Sequence, residues 1–265
     1  MAEIEHALEA GEFVPYYQPI VDIRTGRLCG AEVLVRWRKL DGTLVLPGAF
    51  IPLMESSDLI HTLTRNLMQK VCDEAGPSIS RRSDLRIAFN FAGKLFSEPT
   101  IVKDVRNIFA NSPIKFSQVV LEVTERDPIV NFTKTRQTIA ALQDLGVRIA
   151  IDDVGTGHSG LSYMLKLGVD IIKIDKIFVD AIGTDRNSTT IVETLVDLAR
   201  NMRMDVVAVE NFEQVMHLRA LGVRLAQGYV FAPPLPGSSF LQLVEAIDPL
   251  QPAGTDATER IRASA

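Results

Sequence analysis

Apolar and polar positions alternate along this chain with two different periods, and the switch between them marks out its elements. Residues 3 to 11 place Ile4, Ala7 and Leu8 on one helical face and stop at Gly11. FVPYYQPIVD (13–22) and LCGAEVLVRW (28–37) then read as strands joined through the turn Thr25-Gly26. So short a connection predicts an antiparallel pair, because a parallel crossover needs a dozen or more residues. In the second strand the period of two puts Glu32, Leu34 and Arg36 on one face. A glutamate there is costly unless something pairs with it. Asp41-Gly42 is a turn, Pro47 to Pro52 enters a helix, and residues 59 to 75 predict a long helix burying Leu63, Leu67 and Val71. GPSISRRSD (76–84) reads as a polar connector with Arg81 and Arg82 in solvent.

From Leu85 the alternation becomes regular. LRIAFN, VVLEVTE, VRIAIDD, VDIIKID and MDVVAVE read as strands, with helices near 100–110, 131–145, 159–166, 187–201 and 212–221 between them. LAQGYVFAPPL (225–235) is a final strand and SSFLQLVEAI the last helix. Strand and helix in strict alternation call for parallel βαβ units. With the two opening strands the count reaches eight, which predicts a (β/α)8 TIM-like barrel with one antiparallel strand near the N-terminus. A doubly wound open sheet is the alternative. The barrel domain is expected over residues 1–248, with 249–265 a disordered tail. Asn90, Glu122, Asp152, Asp153 and Lys173 all fall at or near the C-terminal ends of strands, and in a barrel those ends converge on the face that carries active sites.

Composition narrows the partners. With 265 residues, 46% of them hydrophobic, the chain can bury one large core. A net charge of −5 gives no overall basic field for a DNA or RNA polymer or an anionic membrane. A small anionic ligand would need local help from metal ions or from Lys and Arg. Cys29 and Cys72 form no metal-like cluster and fit a reducing cytosol with both thiols free. No apolar run approaches the roughly 18 residues of a membrane span, so a cytoplasmic domain is expected, whole or as the cytosolic part of a longer membrane protein.

The chemistry centres on Val147 to Gly160, VRIAIDDVGTGHSG. Two adjacent carboxylates in a largely buried setting repel each other and need a compensating positive charge, usually a divalent metal. Gly155, Gly157 and Gly160 also spell G-x-G-x-x-G with Asp175 further on, a dinucleotide fingerprint. A pyrophosphate there would approach both carboxylates, at roughly 1 to 4 kcal/mol per close charge pair. In the metal reading Glu32, Asn90, Glu122 and Asp152 offer oxygens to one hard cation, and Asp152 and Asp153 to a second. Such donors suit magnesium or manganese rather than zinc. Lys173 would orient water or offset transition-state charge, and metal-assisted phosphodiester hydrolysis is the natural class. His158, Trp37 and Tyr163 read as loop or packing residues.

These segments resemble the EAL-domain cyclic di-GMP phosphodiesterases. Glu32-Val33-Leu34 stands for Glu-Ala-Leu, and FNFA, LEVTE, DDVGTGHSG, KID and AQGY follow in family order over roughly residues 5 to 247. The resemblance implies a barrel that hydrolyses cyclic di-GMP to linear pGpG with two magnesium or manganese ions. Its metal ligands match Glu32, Asn90, Glu122, Asp152 and Asp153, and its catalytic lysine matches Lys173. Gln18, Leu34, Arg36 and Gln227 match nucleotide contacts, with Arg36 a phosphate partner. Glu125 matches a glutamate that holds the glycine loop, and that loop implies a homodimer. One departure stands out: the family reads Ala-Glu-Gly-Val-Glu after the seventh strand, whereas Ala208 is followed here by Val209-Glu210-Asn211. The missing Glu-Gly implies impaired turnover, or else a degenerate domain that binds cyclic di-GMP as a receptor. Glu210 is the available substitute.

Overall fold

The structure, a computed structural model, describes residues 1–98, 100–124, 129, 131–154, 166–209 and 214–247, and of Val209 only the backbone. The first hairpin forms where the pattern predicts it, β1 over Phe13–Asp22 and β2 over Leu28–Arg38, antiparallel with Gln18 opposite Glu32. A two-residue β3, Leu44–Val45, adds to β2. The parallel strands follow: β4 Arg86–Asn90, β5 Val119–Thr124, β6 Arg148–Val154, β7 Ile171–Ile174, β8 Asp205–Val209 and β9 Leu225–Gln227. A short β10, Leu235–Pro236, pairs with β1.

The sheet order β10-β1-β9-β8-β7-β6-β5-β4-β2-β3 closes through the β1–β2 pairing. Among the described residues the closed barrel therefore has eight strands plus two marginal ones. β1 runs against both β2 and β9, and every other neighbouring pair within the barrel is parallel. The (β/α)8 expectation, with its single antiparallel strand, is met, and the open-sheet alternative is not.

Helices clothe the barrel: α1 Ala2–Glu9, α2 Ile51–Glu55, α3 Leu59–Ser80, α4 Thr100–Ala110, α5 Phe132–Asp144, α6 Lys176–Asp180, α7 Arg186–Asn201, α8 Val215–Leu221 and α9 Gly237–Ile247. The main core lies between strands and helices, joining Leu63, Met68 and Val71 of α3 to Phe89, Leu121 and Ile149 of the sheet. A second cluster places Val192 and Val196 of α7 with Leu218 of α8 over Ile174 and Ala208.

Three sequence expectations are corrected. The polar connector from residue 76 is helical to Ser80, because Ala75, Gly76 and Ile79 are all buried and their packing outweighs the N–H that Pro77 lacks. A Cβ on Gly76 would lie 3.0 Å from the ring of Pro113, so the helix approaches that loop closely. Arg82, read as solvated, is buried and donates to Asp84 and to the Leu28 carbonyl. The long final strand stops at Gln227, ahead of Gly228 and the Pro233-Pro234 pair, which cannot continue a ladder. The helix expected near 159–166, but for Lys166, and the tail 249–265 lie outside the described residues.

Candidate active site

Strand parity brings the charged positions inward at one level of the barrel. Glu32 of β2, Glu122 of β5 and Lys173 of β7 are all at least nine-tenths buried, at 5%, 2% and 1% exposure. Lys173 Nζ donates to Glu122 Oε2 at 2.6 Å, Glu32 Oε2 at 2.8 Å and Asp152 Oδ2 at 3.0 Å. One ammonium thus faces three carboxylates, which themselves offer oxygens within 4.8 Å of one another.

The hydrogen bonds around Glu32 complete the floor. Asn90 Nδ2 donates to its Oε1 at 2.6 Å, and Gln227 Nε2 to its Oε2 at 2.6 Å. The other end of the Gln227 amide, Oε1, is buried with no hydrogen-bond partner among the described residues. Gln18 sits opposite Glu32 in the β1–β2 register and is also buried.

Electrostatics follow from this crowding. Burial and the neighbouring Glu32 and Asp152 push the Glu122 carboxyl up to about 8, against the pull of Lys173. Burial also acts to raise Glu32, but Lys173 and the amides of Gln227 and Asn90 outweigh it and hold that carboxyl low. Lys173 itself is held charged: burial opposes its ammonium, and Asp152, Glu122 and Glu32 more than compensate. Three acids against one base leave a deficit of positive charge that a proton on Glu122 relieves in part. A divalent cation relieves it fully, and the unpartnered Gln227 oxygen adds a neutral donor of the hard kind such ions prefer. The donor set fits a metal.

Asp152 and Asp153 are separated by the backbone. The β6–β7 register slips between Ile151 and Val154, and Asp153 adopts a left-handed φ of 57° while its N–H donates to Asp152 Oδ1 at 2.9 Å. Such a conformation is uncommon outside glycine, and aspartate is among the side chains that tolerate it. The bulge leaves both residues half-buried at the strand end, with Asp152 in the tight cluster.

Above this level, toward the C-terminal ends of the parallel strands, Leu34 and Arg36 continue the inward face of β2. Arg36 lies over the Tyr16 ring at 5.7 Å and donates to the Val35 carbonyl. Tyr16 escaped the sequence reading. The period of two that singles out Gln18 also marks it, and Leu34 is its direct partner across the hairpin. Glu125, His158, Tyr163 and Glu210 lie outside the described residues. Trp37 packs as expected, buried against Phe13 and Phe50 with its indole N–H on Glu12.

A (β/α)8 barrel whose strand ends gather a lysine-centred acidic cluster defines the class. The chain belongs to the EAL domain family, whose model matches residues 1–234. It is 39% identical over 247 residues to the probable cyclic di-GMP phosphodiesterase PdeG of Escherichia coli strain K12, covering 92% of this chain and 48% of that protein. With the cyclic di-GMP phosphodiesterase PdeL of the same organism it shares 38% over 244 residues, 90% of this chain and 67% of PdeL. It thus spans about half the length of PdeG. Among solved structures, the c-di-GMP complex of the PaMucR phosphodiesterase superposes with a TM-score of 0.83 at 30% identity, covering 90% of this chain and 98% of that one. The EAL enzyme Bd1971, bound to cAMP and cyclic di-GMP, gives 0.85 at 29%, covering 92% and 67%. No helix among the described residues is long and apolar enough to cross a membrane.

Proposed function

We propose that this domain binds cyclic di-GMP across the C-terminal mouth of the barrel and hydrolyses it to linear pGpG, assisted by two magnesium or manganese ions. The observation that carries the reading is the trio of buried Glu32, buried Glu122 and half-buried Asp152 closing on Lys173, with a charge deficit that a divalent cation fills. Asn90 and Asp153 complete the proposed ligand set. The names of PdeG, PdeL and the PaMucR complex supply the substrate.

Each residue then has a task. Glu32 and Glu122 anchor the charge at the barrel wall, fixed by bonds from Asn90, Gln227 and Lys173. Lys173 keeps a positive charge facing the reacting phosphate and offsets the negative charge that grows in the transition state. Arg36 receives a phosphate from the rim, and Gln18, Leu34 and Gln227 hold the nucleotide. Glu125 is assigned to positioning the glycine loop. What a bound divalent cation supplies is Lewis-acid polarisation of the phosphodiester. The reading carries with it a homodimer and a cytoplasmic setting.

The test is purified protein with manganese and cyclic di-GMP, followed by chromatography for pGpG. Product should accumulate with manganese and not with chelator, and Glu32→Ala should abolish it. Tight binding without product would instead establish a receptor. That second reading has one specific support: in β8 the residue after Ala208 is Val209, paired in register with Gln227, where the family resemblance calls for a glutamate. Inserting Glu-Gly after Ala208 should raise turnover if that carboxylate is what the domain lacks.

A further inference from the structure

We propose that the opposite, N-terminal mouth of the barrel is a second ligand site, built for a small organic anion with an apolar body. A cavity of about 710 Å³ opens there, between the starts of β4, β7, β8 and β9 and the β1–β2 turn. That volume is typical of small-molecule pockets.

Its depth comes from the residues that ought to fill the barrel. Below the carboxylates the inward positions form a small cluster of their own, and two of its members are Ala88 and Ala150. Gly30 lines the cavity with no side chain at all, since a Cβ there would strike the Arg86 carbonyl at 2.3 Å. A barrel interior is normally packed by bulky branched side chains. Here Ile20, Ile171, Val207 and Leu225 make apolar walls around the remaining space, which reaches up to Glu122.

The rim is basic in a chain of net charge −5. Arg27, Arg86, Arg200 and Arg224 line it against Asp22, Asp84 and Asp205, four positive charges to three negative at the rim, while the fourth carboxylate of the lining, Glu122, lies at the deep end. Each aspartate is already engaged: Asp84 by Arg27 at 2.8 Å, Asp22 by Arg224 at 2.7 Å, and Asp205 by Arg148 at 2.6 Å. Arg200 is held by Asp197 and the Leu221 carbonyl. Arg86 is left over. Its guanidinium makes no hydrogen bond among the described residues, and its nearest carboxylate is Asp205 at 3.7 Å. Burial and the adjacent Arg148 push its pKa down, which is the environment an anion would relieve. A guanidinium at the edge of an apolar cavity matches a carboxylate, sulfonate or phosphate carried on a hydrophobic body.

The probe is 8-anilinonaphthalene-1-sulfonate, an apolar sulfonate whose fluorescence rises in apolar surroundings. It should bind saturably at one site per chain. Arg86→Gln should weaken it about tenfold, the loss of one charge-assisted hydrogen bond, and Val207→Phe should block it by filling the cavity. A measurement on the unmodified protein needs no variant to fold. Cys29 lines the cavity and is half-buried, whereas Cys72 is buried elsewhere, so saturating probe should slow alkylation of Cys29 by iodoacetamide as read by mass spectrometry. Unsaturable binding, or saturable binding that leaves Cys29 alkylation unchanged and is indifferent to Arg86→Gln, would overturn the proposal. Because no step uses cyclic di-GMP, this outcome is independent of turnover at the other mouth.

Discussion

Lys173 is the residue on which the acidic centre depends. Removing it leaves three carboxylates, two buried and one half-buried, with oxygens within 4.8 Å of one another and no other ion-pair partner among the described residues. Breaking a buried ion network by deleting one partner costs about 3–5 kcal/mol, because the remaining charges stay uncompensated. Lys173→Met should therefore lower stability by that amount in urea unfolding with chelator present, and manganese should restore part of it. A loss under about 1 kcal/mol would show that protons on the acids already neutralise the cluster. The same logic explains what was legible at this scale. Glu32 and Lys173 stand out in apolar strands because a buried charge must be paired. The left-handed turn at Asp153 was not legible, since it arises from a register slip between two strands.

Among the elements, the β1–β2 hairpin shows how a turn is tied to the far end of the chain. Asp22 Oδ1 accepts from the N–H groups of Arg24 and Thr25 at 2.9 and 3.1 Å, and Oδ2 from Arg224 Nε at 2.7 Å at the entry to β9. Burial acts to raise the Asp22 carboxyl, and Arg224 with the two backbone donors lowers it further than that. A depressed folded-state pKa gives stabilisation that is complete above the unfolded value, near 4, and fades as pH falls through the folded value. Asp22→Asn keeps the turn's acceptor and loses the ionic partner, which is largely exposed and so partly screened. The expected cost is about 1 kcal/mol at neutral pH, seen as a lower urea midpoint at pH 7, with the gap to the parent closing below about pH 4. A gap independent of pH would refute the ionic origin. The hairpin itself was readable from its short connection. The extension of α3 through Pro77 was not, because burial of Ile79 overrides a local breaker and burial is a property of the assembled fold.

At the scale of the whole molecule, the acidic centre is also a fastening. The proposed ligands come from β2, β4, β5 and β6, so a cation held there ties together four neighbouring strands, half the closed ring. Six strands alternating with helices, added to the two opening strands, announced the barrel, but the order in which its ends meet, and the void beneath them, follow from closure and from small residues such as Ala88 and Ala150 that no period marks. A ligand that binds only the folded state stabilises it by about 2.7 kcal/mol at a hundred times its dissociation constant. For a chain of this size each kcal/mol moves the thermal midpoint by about 2–4 °C. Saturating manganese should thus raise the midpoint by roughly 5–10 °C and slow amide exchange in β2, β4, β5 and β6 together. Glu32→Gln, which removes one carboxylate charge while keeping the side chain's size, should erase most of both effects. If manganese left the midpoint and the exchange of these strands unchanged in the parent protein, the cluster would be a self-neutralised ion network, and the case for metal-assisted hydrolysis would lose its physical basis.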